Sequence, residues 1–231
     1  MTQNHQNNPV EPAAMIDAVL RKEKNWGELW FYQKTVTLYQ MTYVFTQRFL
    51  PKHGDRTVDQ MVQAARSGKQ NIVEGMADGV TSMELELKML NVARSSLKEL
   101  REDYEDYLVS RRLSLWGKDH PRYEKLVSYC YDHNLYTDYE PFFLRWTDEE
   151  MANAALSLCH YIDRMMISYE KWLEKDFKEN GGIRERMTAA RLGYRNMQKS
   201  QIEEKDREIA ALKAEIARLN QEILRLKQRG G

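Results

Sequence analysis

Residues 147–172 read TDEEMANAALSLCHYIDRMMISYEKW. Thr147 and Glu150 stand at the spacing where a hydroxyl and a carboxylate reciprocally satisfy free backbone N–H groups at a helix start. Met151, Ala155, Leu158, Ile162, Met165, Tyr169 and Trp172 then recur in steps of four and three. That period paints one apolar face along a helix of roughly 30 residues, ending at Asn180-Gly181-Gly182. A helix with one such face must bury it against others.

The neighbours are legible upstream. From Leu29 to Leu50 two apolar stripes run side by side: Leu29, Tyr32, Val36, Tyr39 and Tyr43 on one, Phe31, Leu38, Phe45 and Phe49 on the other. Such a width predicts more than one packing partner. Pro51 to Gly54 forces a turn, and a second helix follows from Asp55 to Asp78 with Val58, Met61, Ala65 and Ile72 inward. Gly68 and Gly75 continue that face without side chains, which lets another helix approach closely. Thr81 and Glu84 repeat the capping spacing, starting a third helix that carries Leu87, Leu90, Ala93, Leu97, Leu100, Tyr104 and Leu108 and stops near Arg111 or Arg112. Leu113 to Trp146 is a long aromatic connection with one short helix over Tyr123 to Tyr131. Four long helices with one long crossover specify an all-α bundle.

Composition agrees. The 231 residues include 11 Gly and 5 Pro, with no Pro between Pro51 and Pro121 or after Pro141. An interior Pro costs a helix about 3 kcal/mol, so these gaps leave room for long helices and argue against all-β and α/β folds. No stretch is apolar enough to cross a membrane, and Met1 to Asn8 lacks the basic-then-apolar order of a signal peptide. A cytoplasmic, soluble chain with no membrane partner is expected. Cys130 and Cys159 are too few for a disulfide framework. The zero net charge conceals an asymmetry: residues 181–231 carry 12 Lys and Arg against 7 Asp and Glu, leaving −5 on residues 1–180.

Past Gly182, Ile183, Met187, Ala190, Tyr194 and Met197 keep helical spacing, then the phase slips by one residue. From Ile202 the repeat is stricter. Ile209, Ile216 and Ile223 at heptad position a alternate with Leu212, Leu219 and Leu226 at d, while Glu208, Glu215 and Glu222 at g face Lys213, Asn220 and Lys227 at e. This is a coiled coil, and β-branched a residues with Leu at d favour two parallel strands. Its partner is a second copy or another coiled-coil protein. Four regions follow: 1–27, flexible with a short helix over Ala13 to Lys24; 28–180, the bundle; 181–200, a basic amphipathic extension; and 201–231, the coil.

Chemistry finds little support. No Glu-x-x-His pair exists for a di-metal bundle site. Cys130 and His133 have ligand spacing, but Cys159 and His160 are adjacent, which strains tetrahedral completion. Phosphate-binding glycine loops and nucleophile elbows are lacking. No catalytic residue, metal or cofactor is expected.

The runs Asp59-Gln60-Met61, Ala64-Ala65-Arg66-Ser67, Asn71-Ile72-Val73-Glu74-Gly75 and Asn91-Val92-Ala93-Arg94-Ser95-Ser96-Leu97-Lys98-Glu99-Leu100 resemble the bacterial four-helix-bundle family. Its members include proteins encoded in intervening sequences of large-subunit ribosomal RNA genes, and the accessory variability determinant of diversity-generating retroelements is a relative. Trp30-Phe31-Tyr32-Gln33-Lys34 resembles the opening of that family's first helix, and Gly181-Gly182-Ile183-Arg184-Glu185-Arg186-Met187 resembles the subgroup of four helix bundle suffix domain proteins. The resemblance spans residues 28 to about 195 and excludes the coil. It implies an up-down bundle that assembles into rings, typically homopentamers, with no enzymatic activity attributed to the family as a whole.

Within the motif, Asp59, Gln60, Arg66, Asn71, Glu74 and Gly75, with Arg94 on the next helix, are read as a polar network fixing helix register, the alternative being a partner surface. Glu74 and Arg94 are expected to pair inside the bundle. Nucleic-acid binding is the functional rival. It rests on the retroelement relative and on Arg184, Arg186, Arg191, Arg195 and Lys199, since phosphate binding needs concentrated positive charge.

Overall fold

The computed structural model describes residues 19–22, 25–51 and 56–229. Most of the short helix expected over Ala13 to Lys24, and most of the Pro51 to Gly54 turn, lie outside the described residues. Among those described, every regular element is helical: a 3-10 turn at Trp26–Glu28, then α1 (Trp30–Phe49), α2 (Arg56–Asp78), α3 (Met83–Ser110), α4 (Tyr123–Asp132), α5 (Tyr136–Phe143), α6 (Asp148–Asn180) and α7 (Ile183–Arg229). Leu20–Gly182 form one compact unit, and α7 belongs to a second.

In the first unit the packed pairs of long helices are α1 with α2, α2 with α3, α3 with α6, and α6 with α1. Side-chain contacts give the directions. Phe31 near the start of α1 meets Tyr169 late in α6, and the Tyr107 hydroxyl near the end of α3 donates to Asp148 at the start of α6, 3.0 Å away. Phe45 and Tyr104 rings, 5.0 Å apart, put the ends of α1 and α3 together. Up, down, up, down is the result: a four-helix bundle closed around Leu38, Met41, Met61, Ile72, Leu90, Leu100, Met151, Leu158 and Ile162, all fully buried.

Local chemistry sets the ends. Thr147 and Glu150 form the reciprocal cap of α6 as the spacing predicts, and Gly181 closes it at φ 66°. At α3 the cap is Ser82, whose hydroxyl accepts from Leu85 N, not the expected Thr81. Thr81 instead donates to Asp78 O within the preceding turn. The α6 stripe also departs from expectation at its end. Met151, Ala155, Leu158 and Ile162 are fully buried, yet Trp172 is half exposed while Met166 and Leu173 are buried. Alternating steps of four and three average 3.5 residues, and a helix of 3.6 drifts by roughly 20° per heptad, so the inward face moves off the stripe.

On α1 the second stripe is the core: Phe31, Leu38 and Phe45 are buried, whereas Tyr43 on the first is half exposed. Thr35, Thr37, Thr42 and Thr46 are also buried. Thr35 and Thr42 donate to the carbonyls of Phe31 and Leu38 one turn back, which lets hydroxyls sit in apolar surroundings.

The crossover returns to the end of the bundle it leaves. α4 lies on α6 and α5 on α1. Pro141 sits inside α5, which is why periodicity and breaker rules did not mark Tyr136–Phe143 as a helix.

Candidate functional site

The motif on α2 divides between solvent and the α3 contact. Asp59, Gln60, Arg66 and Glu74 are exposed, and Asn71 donates to the carbonyl and hydroxyl of Ser67 at 2.8 and 3.1 Å. Ser67 meets Ser96 of α3 across 3.0 Å. Gly75 is buried, and a Cβ there would lie 3.0 Å from Met89 Cβ and 3.2 Å from the Glu86 carbonyl. Gly68 is tighter still, 2.7 Å from Leu97 Cδ2. The small residues therefore set the α2–α3 approach, as the sequence implies. Beside it, Asp59, Gln60, Gln63, Glu99 and Asp103 line an open groove of about 660 Å³. Burial, then the like charges of Asp106, Glu99 and Glu102, pushes the Asp103 carboxyl above the ordinary carboxylate range.

The expected Glu74–Arg94 pair does not form. Arg94 Nε donates to Asp163 at 2.9 Å and Nη1 to Glu170 at 2.8 Å, both on α6. Since consecutive helix residues are turned by about 100°, packing Gly75 onto α3 points Glu74 to water, and Arg94 lies on the opposite flank of α3. Burial pushes the Glu170 carboxyl up, against the pull of Arg94.

Three polar contacts that the sequence did not signal hold the crossover. Asn153, buried in α6, accepts from Trp116 N at 2.8 Å and donates to the Ser114 carbonyl at 2.9 Å. Lys34, fully buried in α1, reaches the end of α4 and donates to the carbonyls of Cys130 and His133. These are carbonyls a short helix leaves unpaired at its negative end. Burial pulls the Lys34 ammonium down to about 8, against the pull of Cys130, Asp132 and Asp138. Arg48 closes the far side on the Phe143 carbonyl.

A fourth polar contact stands at the opposite end. Glu86 is 1% exposed, accepts from Arg21 at 2.7 Å and from the Tyr169 hydroxyl at 2.6 Å. Arg21 also donates to Asp176 at 2.8 Å, tying the chain before α1 to the α2–α3 corner and the end of α6. Glu84 and Glu86 flank Leu85 at the start of α3, and nothing in their spacing marks Glu86 as the buried one.

Cys130 and Cys159 are both buried free thiols, and burial pushes each up to about 12. His133 stacks on Tyr129 with its Nδ1 at 3.0 Å from the Tyr129 carbonyl. Among the described residues, no three His, Cys, Asp or Glu side chains converge as a metal site would require. No helix among the described residues is long and apolar enough to cross a membrane.

α7 is one continuous helix of 47 residues, with no break at the phase slip. Ile202, Ile209, Leu212, Ile216, Leu219, Ile223 and Leu226 stand 46–63% exposed. Nearer its start, Arg184, Arg191, Arg195 and Lys199 are exposed and fall at helical spacing on one face, while Arg186 is half-buried. Lys199 pairs with Glu203 at 3.8 Å.

This architecture defines a helical bundle joined in sequence to an amphipathic helix with an exposed apolar seam. Compared with protein-family models, curated proteins and solved structures, the chain finds no match.

Proposed function

We propose that the protein is a non-enzymatic helical scaffold that self-assembles and presents a C-terminal coiled coil to itself or to a partner protein. The observation that carries this reading is the exposed Ile and Leu seam of α7. Seven large apolar side chains at heptad spacing on one helix are otherwise a standing cost in water. The interior of the bundle supports the non-enzymatic part. Its thiols are buried and held protonated, and its buried lysine is occupied by main-chain carbonyls, so neither is a ready nucleophile. On the strength of the resemblance to the bacterial four-helix-bundle family, the assembly proposed for the bundle is a homopentameric ring. Native mass measurement of the full chain and of a truncation after Lys199 tests both parts: a multimeric full chain is expected, and five-fold stoichiometry of the truncation supports the ring. A monomeric full chain rejects the scaffold.

A second reading is favoured by the basic face of α7. Arg184, Arg191, Arg195 and Lys199 give one exposed helix surface four positive charges, and assembly multiplies them. A nucleic-acid-binding accessory role, serving a reverse transcriptase or an RNA, would use this face. Salt-dependent mobility shifts with RNA and DNA decide it, and absence of binding at low salt removes the reading.

A further inference from the structure

The seam of α7 carries information about its occupant. Its apolar residues run from Ile202 to Leu226, about 36 Å of helix at 1.5 Å per residue. Lys205 occupies the first d position, and continuing the same frame toward the start of α7 puts Gln198 at d and Arg195 at a. Charged residues at a and d oppose close approach, so the seam is loosened at Lys205 and does not continue past Ile202.

The flanks select orientation. In a parallel, in-register pair, each g residue faces the e residue five positions on in the other strand. Glu208 then meets Lys213, Glu222 meets Lys227, and Glu215 meets the neutral Asn220, so no like-charged contact arises on the flanks, and Lys205 at d meets its own copy only in the open first turn, where its flexible stem carries the ammonium to water. An antiparallel pair places g against g and e against e, setting glutamates on glutamates and lysines on lysines. Within the single helix Glu215 already pairs with Arg218 at 3.0 Å, consistent with its having no cation across the seam. Ile at a with Leu at d favours two strands over three or four.

We infer that the occupant of the α7 seam is a second copy of this chain, paired parallel and in register over residues 202–226. The inference rests on the scaffold reading in needing self-association, and adds partner, number and direction; in a five-membered ring the coils then pair with those of a second ring, since five seams cannot pair two by two among themselves. Its charge pattern is self-complementary, which an unrelated strand would have to reproduce.

Sedimentation equilibrium of the full chain at low salt tests it. The double variant Lys213→Glu, Lys227→Glu surrounds the seam with acid, and its particle mass should fall two-fold from that of the parent. An equimolar mixture with Glu208→Lys, Glu222→Lys should restore the parent mass. Direction is read separately: Ile202→Cys should cross-link to itself under mild oxidation, the two native cysteines being buried. A three- or four-fold fall in mass overturns the pairing number. Cross-linking only between Ile202→Cys and Leu226→Cys chains overturns the direction. A parent multimer whose mass is unchanged by the charge variants overturns the inference while leaving the scaffold reading standing, whereas a monomeric parent removes both.

Discussion

The Lys34 ammonium donates to the His133 carbonyl across 2.6 Å although the lysine is fully buried. One side chain of α1 thus completes the end of α4 and fixes where the crossover turns back. Replacing it with Met keeps the length and removes the donor. Lys34→Met is expected to cost about 1–3 kcal/mol, the range for leaving buried acceptors unsatisfied. Faster amide exchange should concentrate between residues 128 and 139.

A pH signature accompanies that change. The folded ammonium releases its proton at about 8, whereas the ordinary value is 10.5. Between these values the unfolded chain binds more protons, so this group's contribution favours folding increasingly as pH rises through the window. The stability of the parent relative to Lys34→Met, measured by urea unfolding at pH 7.5 and pH 10, should therefore rise. A constant difference would mean that Lys34 is not displaced from its ordinary value.

The thiols act with the opposite sign. Burial raises Cys159 from 9.0 to about 12, so its contribution is full below pH 9 and is lost as pH rises toward 12. Against Cys159→Ala, the parent should lose relative stability between pH 8 and pH 10.5. A disulfide reagent at pH 8 should leave both thiols of the folded protein unmodified and titrate both in denaturant.

Gly68 and Leu97 make a sensitive steric pair. A Cβ at Gly68 would lie 2.7 Å from Leu97 Cδ2. Gly68→Ala gains about 1 kcal/mol of helix propensity but overpacks the α2–α3 contact, which typically costs about 1–3 kcal/mol, so a net loss is expected. In Gly68→Ala, Leu97→Ala the new methyl group enters the space left by leucine. Thermal unfolding of the four chains should show the double variant more stable than the sum of the single changes.

Arg94 and Glu74 should respond unequally. Arg94→Ala leaves Asp163 and Glu170, both partly buried, without their shared cation, and about 1–3 kcal/mol of destabilisation is expected after allowing for partial solvent exposure. Glu74→Ala changes an exposed site and should stay within about 0.5 kcal/mol. Equal effects in denaturant titrations would contradict the observed pairing.

Legibility in the sequence followed the range of the interaction. The α6 cap at Thr147 and Glu150 was readable because its partners are three residues apart, and Gly68 and Gly75 announced a close approach because missing side chains on an apolar face have one common use. Ser82 displaced Thr81 because the competing hydroxyls are adjacent and the Asp78 carbonyl engaged one of them. Arg94 pairs with acids to which local spacing does not point, because Asp163 and Glu170 on α6 lie beyond the long connection from Arg111 to Thr147, whose path sets the register of α3 on α6.

Apolar periodicity, scarce breakers and heptad spacing were enough by themselves to determine an all-helical chain, four bundle helices and the seam of α7, since each depends on neighbours within one or two helical turns. Tertiary structure alone decided that Lys34, Glu86 and Asn153 are buried and what each one holds. A buried polar group is tolerated only where distant backbone or opposite charge completes its hydrogen bonds, and that completion comes into being when the crossover and the corners close.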